Sequence, residues 1–143
     1  METLFLIASI AGQRVALPAY HVESVVEMES VTPVPLVVPH IAGLFALRSR
    51  VLTVIDSLAA LGLGRTPIGG LMQAVIVGCD GHPYALLVES VEDVVRAPRP
   101  QPPCAVLSPE WARAARGMIE HEGEPLLLID PAALVAGPPA IAA

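Results

Sequence analysis

The residues that could carry chemistry in this chain are few and scattered. His21, His40, His82 and His121 stand on four separate segments, without the close spacing at which zinc ligands come, and read as turn or surface histidines. Asp56 and Asp130 could form a carboxylate pair for acid–base work. Each, however, precedes a short run of helix formers, Ser57-Leu58-Ala59-Ala60-Leu61 and Pro131 to Val135, and that position makes them helix N-caps. Cys79 closes an apolar run and reads as a structural thiol; with Cys104 it makes neither a disulfide framework nor a metal motif. Ser9, Ser24, Ser90 and Ser108 have no readable histidine-plus-acid context, and no G-x-S-x-G, P-loop or G-x-G-x-x-G occurs. No catalytic residue, cofactor site or metal site is expected.

The most distinctive charged feature is a turn. Arg48-Ser49-Arg50 separates two apolar runs, Gly43 to Leu47 and Val51 to Ile55, the second ending at Asp56, and this pattern reads as a β-hairpin. The turn carries two of the eight basic residues in a chain of formal net charge −6. A pI near 5.0 argues against a nucleic acid partner, which needs a basic face. No apolar run approaches the roughly 18 residues of a membrane span, and Leu4 to Ala11 follows Met1-Glu2 rather than a positive leader segment. The expectation is a cytoplasmic protein without direct membrane insertion.

The elements that must position these residues follow from the apolar pattern. The chain is 54% apolar and 15% charged, against a usual charged share of about 25%, so aliphatic surface is available for a large core or a partner. Strands are expected at Thr3 to Ile10, Arg14 to Leu17 and Val22 to Met28. The three prolines of Thr32 to Pro39 make that stretch an extended connector. The hairpin and a short helix after Asp56 come next, and residues 64–70 form a loop. Glu89, Glu92 and Asp93 read as a solvated strand face.

The pattern then recurs. Gly12 to Val26 aligned with Gly81 to Val95, an offset of 69, is identical at seven of fifteen positions. Gly117 to Asp130 mirrors the hairpin from Gly43 at an offset of 74, leaving five extra residues in the second proline-rich link. Pro100 and Pro103 in that link fit a P-x-x-P recognition spacing, although a rigid connector is the plainer role. Each half supplies about five strands and a short helix, and closure into small barrels removes exposed edges. The expected fold is all-β: two packed five-stranded barrels from an internal repeat, with short helices. The repeat divides the chain into one domain, 1–143, with half-repeats at about 1–68 and 69–137 and a loose tail at 138–143. The equivalent turns carry opposite charge, Arg48 and Arg50 against Glu122 and Glu124, which suggests two unlike faces.

With these residues assembled, the chain resembles the CheW family of chemotaxis coupling proteins. The resemblance rests on Ala16-Leu17-Pro18, Val22-x-x-Val25, the proline-rich connector, Ile41-x-Gly43, Leu47-Arg48, Val54-Ile55-Asp56 and Leu61-Gly62. The second half adds Ala85-Leu86-Leu87-Val88-Glu89-x-Val91 and Leu127-Leu128-Ile129-Asp130. The resemblance implies a pair of five-stranded, SH3-like barrels and a non-catalytic adaptor. Its partners would be a chemoreceptor cytoplasmic tip, the regulatory domain of a chemotaxis histidine kinase, and other CheW-like domains. By the same resemblance, Val22, Ser24, Gly43, Leu47 and Arg48 belong to the interaction surface, expected in the groove between the barrels. The family's Asn-Leu-Arg-Gly stands here as Ala46-Leu47-Arg48-Ser49, and loss of the glycine removes freedom at positive φ. A scaffold assembling into rings, one serving a non-flagellar pathway, and a small-molecule sensor with a cavity between the barrels are the alternatives.

Overall fold

A computed structural model describes residues 2–35, 37–103 and 106–138. The chain forms β1 (Thr3–Ile10), β2 (Gln13–Pro18), β3 (Val22–Met28), β4 (Ile41–Leu47) and β5 (Arg50–Asp56), then helix α1 (Ser57–Ala60). The second copy forms β6 (Met72–Cys79), β7 (His82–Val88), β8 (Ser90–Ala97), helix α2 (Pro109–Ala114), β9 (Ala115–His121), β10 (Glu124–Ile129) and helix α3 (Pro131–Ala136). A single 3-10 turn, Ala19–His21, joins β2 to β3. Helix α2 lies in the longer second link, where the sequence pattern offers only an insertion. The expectations for Cys104 and for the tail beyond Pro138 lie outside the described residues.

Two five-stranded sheets result, in the orders β8-β1-β2-β10-β9 and β3-β6-β7-β5-β4. One point of the sequence reading is corrected: the half-repeats do not each close into a barrel of their own. The β1–β2 hairpin of the first half joins strands of the second, and β6–β7 joins strands of the first, through the parallel pairs β2–β10 and β5–β7. The two copies share one apolar pattern, so that pattern cannot specify which hairpin completes which barrel.

Alternation along the strands shows why so much of the chain is aliphatic. Phe5, Ile7, Ala16, Leu126 and Leu128 point into the first barrel, and Leu52, Val54, Ala74, Ile76 and Leu87 into the second. Their neighbours Leu6, Ile10, Val15, Leu17, Ile55, Val75, Leu86 and Leu127 form a third, shared cluster between the sheets, joined by Leu61 and by Leu134 of α3. Strands β1, β2, β5, β6, β7 and β10 thus bury both faces over much of their length, and such strands read as continuous apolar runs. Asp56 and Asp130 are caps, as the sequence suggests. Asp56 accepts from the Leu58 and Ala59 amides and also from the Thr66 amide (2.8 Å) and hydroxyl (2.6 Å), which ties down the following loop. Asp130 accepts from the Ala132 amide and pairs with Arg116 at 3.3 Å.

Each barrel is closed by one pair of reciprocal backbone bonds. Thr32 and Leu44 exchange bonds of 2.9 and 2.8 Å, and their repeat equivalents Gln101 and Met118 exchange bonds of 2.9 and 2.7 Å. Both closures pass over a glycine. Gly43 (φ 152) lies under the Thr32 carbonyl, and a Cβ there would also meet Val31 Cγ1 at 2.7 Å; at Gly117 (φ 150) it would meet the Gln101 carbonyl oxygen at 2.9 Å. A side chain at either position must push the closing strand away. Gly43→Ala is therefore expected to cost about 2–4 kcal/mol and Gly117→Ala less, read as shifts in urea-unfolding midpoint. Equal, negligible losses would show that the closures are not tight.

Candidate interaction surface

The second barrel is closed at Thr32–Leu44 but open toward the β4–β5 turn. Its two edge strands, β3 and β4, diverge there and leave a seam. Register along β3 slips between Val22 and Ser24 against β6, so Glu23 is the extra residue of a β-bulge. A bulge re-aims its side chain, and Glu23 crosses the seam to Arg50 (Oε2 to Nη2, 2.9 Å). Beside that pair lies a depression of about 350 Å³ lined by Ser24, Val25, Val26, Leu47, Arg48 and Arg50. Val26 and Leu47, which also pack on the barrel core, form the apolar part of its lining, and Ser24, Arg48 and Arg50 form the polar part.

The turn that presents Arg48 is unusual among the hairpins of this fold. The pairs Ala11-Gly12, Asp80-Gly81 and Glu122-Gly123 all hold positive φ at both central residues, the geometry that suits the twist of a two-residue hairpin loop. At the fourth turn Leu47 pairs with Arg50, leaving Arg48 and Ser49 as the two central residues. Arg48 is left-handed (φ 57) and Ser49 is not. Loss of the glycine has thus changed the turn, as the sequence indicates, and Arg50 belongs to β5 rather than to the turn. Arg48 is exposed and has no hydrogen-bond or ion-pair partner among the described residues.

Of the five residues assigned by resemblance, three meet at this seam: Ser24, Leu47 and Arg48. Val22 instead packs half-buried against the layer between the barrels, and Gly43 is buried under the barrel closure. The seam therefore lies within the second barrel, and only Val22 of the five touches the space between barrels. Sequence reasoning missed Glu23, Val25, Val26 and Arg50 as members of the site. The repeat holds the signal for them. The seam residues Ser24, Leu47, Arg48 and Arg50 correspond to Asp93, His121, Glu122 and Glu124 in the first barrel. There Glu92, the equivalent of Glu23, faces Glu124, and Arg14 of β2 is drawn between the two acids. The hydrogen bonds that Arg14 donates to Glu92 raise its pKa above the ordinary value. Glu92 is thus a paired group and not merely a solvated one, and Glu89 likewise accepts from the Gly12 amide at 2.7 Å.

The remaining sequence candidates have other employment. His40 is buried with its Nε2 2.9 Å from the Val135 carbonyl oxygen, and His21 lies against Tyr20 at 4.3 Å between ring centroids. Among the described residues no three metal-ligating side chains gather. Burial pushes the Cys79 thiol up, with lesser contributions from Asp80 and Asp130, so it is a poor nucleophile. Pro100 packs on Gly117 and Gln101 is bonded both ways to Met118, which makes the second link a barrel closure. A crevice beside the contact between the barrels measures about 150 Å³, and the depression that adjoins it over residues 66–73 measures about 360 Å³, at the lower end of the roughly 300–1,000 Å³ of a small-molecule site. Aliphatic side chains fill the space between the sheets.

Comparison with known proteins agrees with this architecture. The model of the CheW-like domain family matches residues 4–138. The chain belongs to the CheW-like domain family. A similar solved structure is the scaffolding protein TtCheW from Thermoanaerobacter tengcongensis, with a TM-score of 0.77 and 24% identity, covering 90% of this chain and 84% of that one. No curated protein sequence matches significantly. The two five-stranded sheets of this CheW-like chain are the paired SH3-like barrels of the family fold. Among the described residues no helix is long and apolar enough to cross a membrane.

The left-handed Arg48 makes no side-chain bond among the described residues. Arg48→Gly should leave stability unchanged or raise it by up to about 1 kcal/mol, since glycine carries no penalty at positive φ. A denaturant titration measures this, and a clear loss of stability would mean that the guanidinium holds the seam together.

Proposed function

We propose that this CheW-like chain is a non-catalytic adaptor that couples chemoreceptor cytoplasmic tips to a chemotaxis histidine kinase in the cytoplasm of a bacterium. The observation that carries this reading is Arg48: an exposed cation with no side-chain partner among the described residues, on a turn beside Val26 and Leu47, in a chain matched by the CheW-like family over residues 4–138. The name of TtCheW as a scaffolding protein supports a scaffold role here. An apolar centre with a few charged positions is the composition of a protein–protein interface. Ser24, Leu47 and Arg48 would meet the receptor tip, with Val22 and Gly43 shaping the strands that hold them. An aliphatic end of one barrel would take the kinase regulatory domain or another CheW-like domain.

A second reading, self-assembly into rings, is favoured by the charge inversion between the two seams, Arg48 and Arg50 against Glu122 and Glu124. Complementary charge of this kind sets register and partner choice more than affinity. Sedimentation at two salt concentrations separates the readings, because exposed charge pairing is screened.

The deciding experiment is capture of receptor tips and kinase regulatory domains of the same organism by purified wild type and by Arg48→Glu. The variant is expected to keep its circular dichroism spectrum and kinase binding while losing the receptor at least tenfold. Undiminished receptor capture by the folded variant would remove Arg48 from the site, and capture of neither partner by wild type would overturn the coupling role.

A further inference from the structure

The Glu23–Arg50 pair sits inside the surface just described, and its two halves are unlike the corresponding groups of the first barrel. There Arg14 is committed to two acids, with bonds of 2.7 and 3.1 Å to Glu92 and a further contact to Glu124. In the second barrel one guanidinium nitrogen of Arg50 meets one carboxylate oxygen of Glu23, and the side chains are 49% and 44% exposed. A pair so open to water contributes little, and a competing carboxylate in a drier setting displaces it readily. Glu23 reaches Arg50 only because the bulge turns it across the seam; it lies at the rim of the depression and not among its lining residues.

We infer that Glu23 is an internal stand-in for a partner's carboxylate. It occupies Arg50 in the free protein and yields it when an acidic segment of the partner settles on Val26 and Leu47. The partner chemistry follows from the site: two guanidinium groups beside Val26 and Leu47, in a chain of net charge −6, select carboxylates. Arg48 receives the first carboxylate without competition; Arg50 becomes available only by exchange. Glu23 therefore sets how much acid the surface demands, and so which partners it accepts. This inference rests on the seam being the receptor surface proposed above.

The test is titration of the organism's receptor cytoplasmic tip into four folded forms of the full chain. Glu23→Gln, which frees Arg50, should bind about two- to fivefold tighter than wild type, the range that a half-exposed ion pair can carry. Glu27→Gln makes the same charge change on the same strand without touching Arg50, and should match wild type. Adding Arg50→Ala to Glu23→Gln should abolish the gain, because the guanidinium that Glu23→Gln frees is then absent. Wild-type affinity in Glu23→Gln, an equal gain in Glu27→Gln, or a gain that survives Arg50→Ala would each overturn the inference while leaving the receptor reading intact. Absence of receptor binding by every form would instead overturn the receptor reading, and this inference with it.

Discussion

Six of the ten strands bury both faces over much of their length, and the layer of aliphatic side chains between the two sheets is the feature to which the rest of the molecule is fitted. Each barrel is too small to hide much apolar surface alone. Stacking them lets Leu6, Val15, Leu17, Val75, Leu86 and Leu127 leave water together. Exchange of the β1–β2 and β6–β7 hairpins between the halves makes the layer continuous with both barrel interiors, so neither barrel is an independent unit. Leu61 and Leu134 bring the ends of α1 and α3 onto the same layer, while Arg113 of α2 donates to the Leu61 carbonyl at 3.0 Å.

Because the shared layer consumes the inward faces, the charged side chains gather on the outer strands and turns. The seams at the open edges, β3 against β4 and β8 against β9, are the places where strand edges remain exposed. Edges of this kind invite pairing unless they are managed. Both seams here carry a bulge that turns a glutamate across the gap. The first barrel clasps its seam with Arg14, whereas the second leaves its seam more open and cationic. Duplication followed by charge inversion at one turn has thus made two unlike faces from one pattern, without disturbing the core that supports them.

The same tension between support and access explains the local backbone. Gly43 and Gly117 are needed where the barrel closures cross, since no side chain fits beneath the Thr32 and Gln101 carbonyls. Arg48 takes the left-handed conformation that Ala11, Asp80 and Glu122 also take at the first central position of their hairpins, the geometry that a two-residue hairpin loop favours.

Strand positions, both caps, the repeat and the paired-barrel class were legible in the sequence. They depend on local rules: alternation along strands, proline in connectors, aspartate before a helix, and identity at offsets of 69 and 74. Family membership was legible too, from an ordered set of short apolar motifs. Three things were decided only in three dimensions. Which hairpin closes which barrel was undetermined because the copies share one pattern. The roles of Glu23, Glu92 and Arg14 depend on contacts across a seam between residues up to 110 positions apart, where side-chain geometry rather than spacing chooses partners. Gly43 and Val22, placed on the interaction surface by resemblance, lie under the barrel closure and against the layer between the barrels, because burial is a property of the packed layers and not of any motif.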